Sequence, residues 1–178
     1  MLEIQRINTS DREYYEYMEN LLTASFPPEE YRELSELKRY TDTLPRFYNN
    51  IILYDKKPIG LITWWDFDDF YYIEHFAIDP NHRNGGYGRK LMEHVSALLN
   101  RPIVLEVELP HEEMAERRID FYKRQGFTLW EKEYIQPPYK AGYDGIPMYL
   151  MVLGSLDSNR DFDTVGLRIH RDVYHVIS

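Results

Sequence analysis

Cysteine is absent from all 178 residues, so disulfides, thiolate metal sites and a cysteine nucleophile are excluded. Long apolar runs are absent too: the longest uncharged stretch, "GIPMYLMVLGSL", falls short of the ~20 residues that a membrane-crossing helix needs. The N-terminal "MLEIQRINTSDREYYEY" carries charge at once and has no apolar core ahead of a small-residue cleavage site. A soluble, unexported, cytoplasmic protein with no membrane contact is expected. Basic charge is in deficit, with 21 Lys plus Arg against 30 Asp plus Glu and a net charge of −9. That balance excludes a duplex nucleic-acid binder, because phosphates demand a basic face, and mildly favours cationic partners. What the chain has in quantity is aromatic, 16 Tyr and 8 Phe, and tyrosine can line a cavity while offering a hydroxyl.

The length predicts one domain over 1–178, ending in a helical extension over about 157–178. "LEIQRI" alternates as an opening strand. Ser10 with Glu13 predicts a capping box, followed by Tyr14, Tyr17, Met18, Leu21 and Leu22 at helical spacing. "FPPEEYRELSELKRYT" predicts a second helix starting at its prolines, with Tyr31, Leu34 and Leu37 inward. The period then becomes two: "NNIILYD" and "PIGLITWWDF" form a hairpin about Lys56 and Lys57, and Asp68 and Asp69 turn the chain into "FYYIEHFAID". "RKLMEHVSALLN" is a helix facing inward with Leu91, Met92, Val95, Leu98 and Leu99. "RPIVLEVEL" is a strand, "EEMAERRIDFYKRQGF" a helix stopped by Gly126, and "FTLWEKEYI" and "IPMYLMVLG" are strands around the loop "QPPYKAGYDG". Phe162, Val165, Ile169, Val173 and Val176 mark a terminal helix. The fold class is α/β (α+β), a mixed, mostly antiparallel sheet of about seven strands flanked by helices.

"DPNHRNGGYGRKLMEHV" concentrates glycine between a strand and a helix. Either the chain merely reverses there, or bare backbone N–H groups and the positive helix end cradle an anion. The spacing is neither that of a P-loop nor G-x-G-x-x-G.

At these residues the sequence resembles the GNAT superfamily of acyl-CoA-dependent N-acyltransferases. "RNGGYG" satisfies the family's R/Q-x-x-G-x-G/A turn with Arg83, Gly86 and Gly88, "YIEHFAIDPNH" looks like its fourth strand, and "IDFYKRQGF" is similar to its F-Y-x-x-x-G-F helix ending. Residues 72 to 127 carry the most specific part. The positions seven and four before Tyr122 hold Ala115 and Arg118 where the family often has Asn and Ala. The resemblance implies acetyl-CoA as co-substrate, its pyrophosphate on the N–H groups of Arg83, Asn84, Gly85, Gly86, Tyr87, Gly88 and Arg89, and its pantetheine arm along Phe76, Ala77 and Ile78. It implies acetyl transfer to a primary amine by direct attack in a ternary complex, with Tyr122 as general acid. A non-catalytic acyl-CoA-binding sensor or regulatory domain is the alternative.

For the general base, Glu74 lies on the strand face of Tyr72, Phe76 and Ile78, with His75 pointing the other way; Glu106 and Glu108 on the fifth strand are alternatives, any of them acting through water. Glu29, Tyr31, Tyr139 and Tyr143, in the two loops that flank the acceptor in this family, are the candidate contacts for a small-molecule or peptide amine. The histidines do not cluster by spacing, so no metal is expected. A homodimer is left open.

Overall fold

The computed structural model describes residues 1–176, and the chain divides into two units, Met1–Asn100 and Arg101–Ser178. The first unit is an antiparallel meander of β1 (Leu2–Arg6), β2 (Phe47–Tyr54), β3 (Lys57–Asp66) and β4 (Tyr71–Ile78), in that spatial order. The β2–β3 turn sits one residue earlier than the lysine pair predicts. Asp55 and Lys56 take its two central positions with φ of 48° and 66°, the left-handed pair that matches strand twist in a two-residue hairpin. Ile51, Ile52, Leu61 and Ile62 are fully buried along β2 and β3, each stabilising the fold by about 1.5–3 kcal/mol.

Helix α1 (Arg12–Ser25) packs on β3 and β4 through Met18, Leu21 and Leu22, as its spacing predicts, but Tyr15 rather than Tyr14 is buried beside them. The capping box does not form. Asp11 takes the N-cap position, and Ser10 Oγ donates to Asn8 Oδ1, so a local side-chain turn uses the hydroxyl that the cap would need. The second helix also starts late. The prolines open only a 3₁₀ turn at Pro28–Glu30, Tyr31 is extended at φ −145°, and α2 runs over Leu34–Thr43 with Leu37, Tyr40 and Thr41 inward. Tertiary structure overrides the local signal here, because Arg32 is drawn into the interior. Helix α3 (Tyr87–Leu98) buries Leu91, Met92 and Val95, whereas Leu98 is 54% exposed.

The second unit pairs β5 (Ile103–Glu108) with β7 (Ile146–Leu153), and β7 with β6 (Thr128–Gln136), all antiparallel. Helix α4 (Glu113–Arg124) packs on β5 and β6 and stops where predicted, with Gly126 at φ +98°. Helix α5 (Ser158–Asp172) packs on β6, its N-terminus capped by the Asp157 carboxylate, which accepts from the Asn159 and Arg160 N–H groups. Val165 and Ile169 face inward as expected and Val173 is buried just beyond, but the helix does not continue toward 178. His175 turns at φ 59° and the Val176 N–H bonds back to the His170 carbonyl, leaving Val176 39% exposed. Residues 177 and 178 of the predicted extension lie outside the described residues. No described helix is long and apolar enough to cross a membrane.

Candidate active site

The glycine-rich segment forms a backbone cup at the N-terminus of α3. Asn84 and Gly86 both take left-handed φ, 71° and 73°, and Gly86 is the N-cap. The first helical bond of α3 runs from the Lys90 N–H to the Gly86 carbonyl at 3.1 Å, so the N–H groups of Tyr87, Gly88 and Arg89 have no intrahelical acceptor, and no side chain caps them. A Cβ at Gly86 would meet nothing within 4 Å. The cup therefore offers donors and a positive helix end to an anion. Arg83 is exposed and donates from Nε to the Ile78 carbonyl at 3.3 Å, while Arg89 pairs with Glu93 on the surface. The Tyr87 ring lies 5.0 Å from Tyr54 in an edge contact. On the approach, Phe76 and Ile78 are half-buried and Ala77 is buried.

Asp79 anchors this turn. Its carboxylate accepts from the Asn81 N–H at 2.9 Å and the Tyr17 hydroxyl at 2.8 Å. The Asn81 N–H is the chief cause holding the carboxyl below its ordinary range, with Tyr17, His82 and Arg83 assisting. In the sequence Asp79 marks the strand ending, and its place before Pro-Asn also signals a side-chain-to-backbone turn. A depressed carboxylate contributes stability above its unfolded pKa and loses it as the pH falls. Tyr17→Phe is accordingly expected to cost about 0.5–1.5 kcal/mol at pH 7, solvent around Asp79 screening the bond, and progressively less as the pH falls below 3.8, read from thermal melts across that range.

Glu74 is the extra residue of a β-bulge. Thr63 pairs with His75 but Trp64 pairs with Ile73, so β4 accommodates Glu74 between them. Strict alternation consequently fails: Glu74 bonds to Arg32 while His75 Nε2 bonds to the Glu30 carbonyl at 2.8 Å, and consecutive residues both reach the α1–α2 connection. The Glu74 carboxylate pairs with Arg32 Nη2 and accepts from Trp65 Nε1 at 2.7 Å, with side-chain exposures of 1% for Glu74 and 3% for Arg32. The Arg32 guanidinium also stacks 4.6 Å from the Tyr40 ring. Arg32 also pairs with Glu36 at 3.8 Å, and removing one partner of a buried pair is strongly destabilising. Glu74→Ala is expected to cost about 3–5 kcal/mol, a Tm loss of roughly 6–20 °C for a chain of this size, with Arg32→Met added to Glu74→Leu recovering most of it. A Tm unchanged in Glu74→Ala would contradict the pairing.

In the second unit, Tyr122 lies on the last turn of α4, buried against Phe121 and Phe127. Burial pushes its phenol up to about 12, against a lowering by Arg118, so near neutral pH it holds a transferable proton. Glu106 accepts from three neutral donors: Tyr174 at 2.6 Å and Gln136 at 2.9 Å on Oε1, and Tyr134 on Oε2. Glu106 stands out in the sequence as a strand carboxylate, whereas nothing in the spacing marks these partners. Tyr134 is placed by an irregularity in β6: Trp130 pairs with Leu150 but Tyr134 with Met148, where an unbroken ladder would put Lys132.

Of the acceptor candidates, Glu29 and Tyr31 are half-buried around the 3₁₀ turn of the first unit. The Tyr139 ring in the second unit lies 5.0 Å from Tyr174 at an interplanar angle of 57°, and Tyr143 is exposed at 44%. A cavity of about 410 Å³ beside α1 and α2, lined by Thr9, Arg12, Glu19, Lys38 and Arg39 among others, holds none of the predicted site residues.

The chain is similar to known proteins in sequence and fold. The "Acetyltransferase (GNAT) family" profile matches residues 11–127. A solved GNAT-family structure from Bacteroides thetaiotaomicron, named as an acetyltransferase, is 59% identical, with 98% of this chain and 99% of that one covered and a TM-score of 0.97. YjbC of Bacillus subtilis (strain 168), also named as an acetyltransferase, is 29% identical over 108 residues, 60% of this chain. The match spans about half of that relative's length, 54%. A coenzyme A complex of an aminoglycoside 6'-N-acetyltransferase shares the fold at 14% identity and a TM-score of 0.64, covering 87% and 99% of the two chains. With the turn, the strand before it and the tyrosine-bearing helix all inside the matched residues, the chain belongs to the GNAT family of acetyltransferases.

Proposed function

We propose that the protein is an N-acetyltransferase that passes the acetyl group of acetyl-CoA to a primary amine by direct attack in a ternary complex, the two units acting as one domain over 1–178. The observation that carries this reading is the backbone cup from Arg83 to Arg89, built where the family binds coenzyme A. The residues fit the group. Three N–H groups at the N-terminus of α3 would hold the pyrophosphate, Gly86 leaves the approach open, and the backbone of Phe76, Ala77 and Ile78 would hold the pantetheine arm.

Acetyl-CoA supplies an activated thioester. The chain's residues handle protons: Tyr122, protonated at neutral pH, donates to the departing thiolate, and a carboxylate accepts from the amine, each on the scale of ~10²–10⁴-fold. Glu74, enclosed with Arg32 and Trp65, suits a positioning role better than that of base, since protonating it would break a buried ion pair. Glu29, Tyr31, Tyr139 and Tyr143 are the proposed acceptor contacts, and a cationic amine suits an acidic chain.

A thiol-release screen of the purified protein with acetyl-CoA over a panel of small amines, polyamines, aminoglycosides and peptide N-termini tests this directly. Amine-dependent thiol release is expected. Tight acetyl-CoA binding with no release for any amine would favour the sensor reading.

A further inference from the structure

We infer that Tyr174, from the segment that follows α5, is a positioning residue for acetyl transfer, acting through Glu106, which takes the proton from the attacking amine. The inference rests on the acetyltransferase reading.

Three observations in the second unit converge. First, Glu106 is gripped from two separate parts of the chain: Tyr134 and Gln136 come from β6, and Tyr174 lies 68 residues after Glu106 itself. A carboxylate offers about four lone-pair positions, and donors on both oxygens fix its rotation as well as its place. Second, α5 serves the same network from behind. The Tyr134 ring lies over Gly166, where a Cβ would sit 3.8 Å away, and 5.1 Å from the His170 ring, while the Tyr139 ring makes a tilted contact with Tyr174. Burial and the adjacent Glu106 push the Tyr134 phenol well above its ordinary value, so it remains a donor. Third, Tyr134, Gln136 and Tyr174 all lie outside the 11–127 stretch that matches the family, and only the displaced β6 register brings Tyr134 opposite Met148. Residues beyond the family-matched stretch thus supply three donors to Glu106.

Of the carboxylates singled out on the strands, Glu74 is ion-paired with Arg32, whereas Glu106 accepts from two tyrosine hydroxyls and a glutamine amide. In the step assigned to Glu106, the amine nitrogen forms the N–C bond to the acetyl carbonyl and its proton passes to the Glu106 carboxylate, directly or through one water. The C–S bond breaks, the thiolate takes the Tyr122 proton, and solvent then restores a proton to Tyr122 and removes one from Glu106. Fixing the accepting oxygens matters because a misplacement of about 1 Å can cost ~10²-fold.

The test uses the full chain, acetyl-CoA and an amine that the wild type turns over. Glu106→Gln is expected to lower kcat by ~10²–10⁴-fold, and Tyr174→Phe, which keeps the ring against Tyr139, by roughly 10–100-fold. Calorimetric affinity for acetyl-CoA stays at the wild-type value in both. Adding Tyr174→Phe to Glu106→Gln costs nothing further, because the tyrosine works only through the carboxylate. Additive losses, or wild-type kcat in Tyr174→Phe, would overturn the positioning role, and near-normal kcat in Glu106→Gln would overturn the base. Failure of the acetyltransferase reading would look different, with no thiol release from the wild type itself.

Discussion

Gly86→Val is expected to abolish acetyl-CoA binding while the protein stays folded. Gly86 adopts φ +73° and a Cβ there meets nothing within 4 Å, so no packed atom resists a larger side chain. The cost to the fold is the left-handed strain of an L residue, about 1–2 kcal/mol, small beside the ~5–15 kcal/mol that holds a typical domain together. The cost to binding is far larger, because a branched side chain occupies the space in front of the Tyr87, Gly88 and Arg89 N–H groups. A fall of at least ~100-fold in affinity corresponds to only about 2.7 kcal/mol, well within reach of displacing a phosphate from its donors. Calorimetry measures the affinity and a thermal melt confirms the fold. Unchanged affinity in the folded variant would reduce the glycine segment to a chain reversal.

Tyr122→Phe should separate chemistry from binding. The phenylalanine ring keeps the contacts with Phe121 and Phe127 but carries no proton, so turnover is expected to fall by ~10²-fold or more with acetyl-CoA affinity unchanged. Loss of kcat and kcat/KM together is the mark of an interaction made in the transition state. The sign of the pKa shift adds a check. Burial raises the Tyr122 phenol to about 12, so the acid form persists through the whole physiological range, and Tyr122 imposes no alkaline fall in rate below about pH 10. Normal turnover in the variant would leave water to protonate the thiolate.

Features whose physics is local were legible in the amino-acid order. The hairpin, the C-terminal stop at Gly126 and the turn from Arg83 to Gly88 depend on φ preferences and spacing within a few residues, and they form within a residue or two of where the pattern puts them. Features that depend on a distant partner were not. Ser10 was legible as a cap, but Asn8 takes its hydroxyl. Arg32 reads as a surface helix residue until Glu74, 42 positions away, draws it inward and delays α2. Glu74 could be placed on a strand, but the bulge that turns it and His75 toward the same connection leaves no mark in period-two alternation. Tyr174 is one of 16 tyrosines. Only the turn after α5 and the displaced β6 register bring it and Tyr134 to Glu106.

Calorimetric titration of the purified protein with acetyl-CoA, desulfo-CoA and ATP in parallel tests the central claim most directly, because all three ligands carry an adenine nucleotide and only two carry the pantetheine arm. Both coenzyme A species are expected to bind at one site per chain, and ATP far more weakly. Binding of ATP with neither coenzyme A species bound would contradict the account.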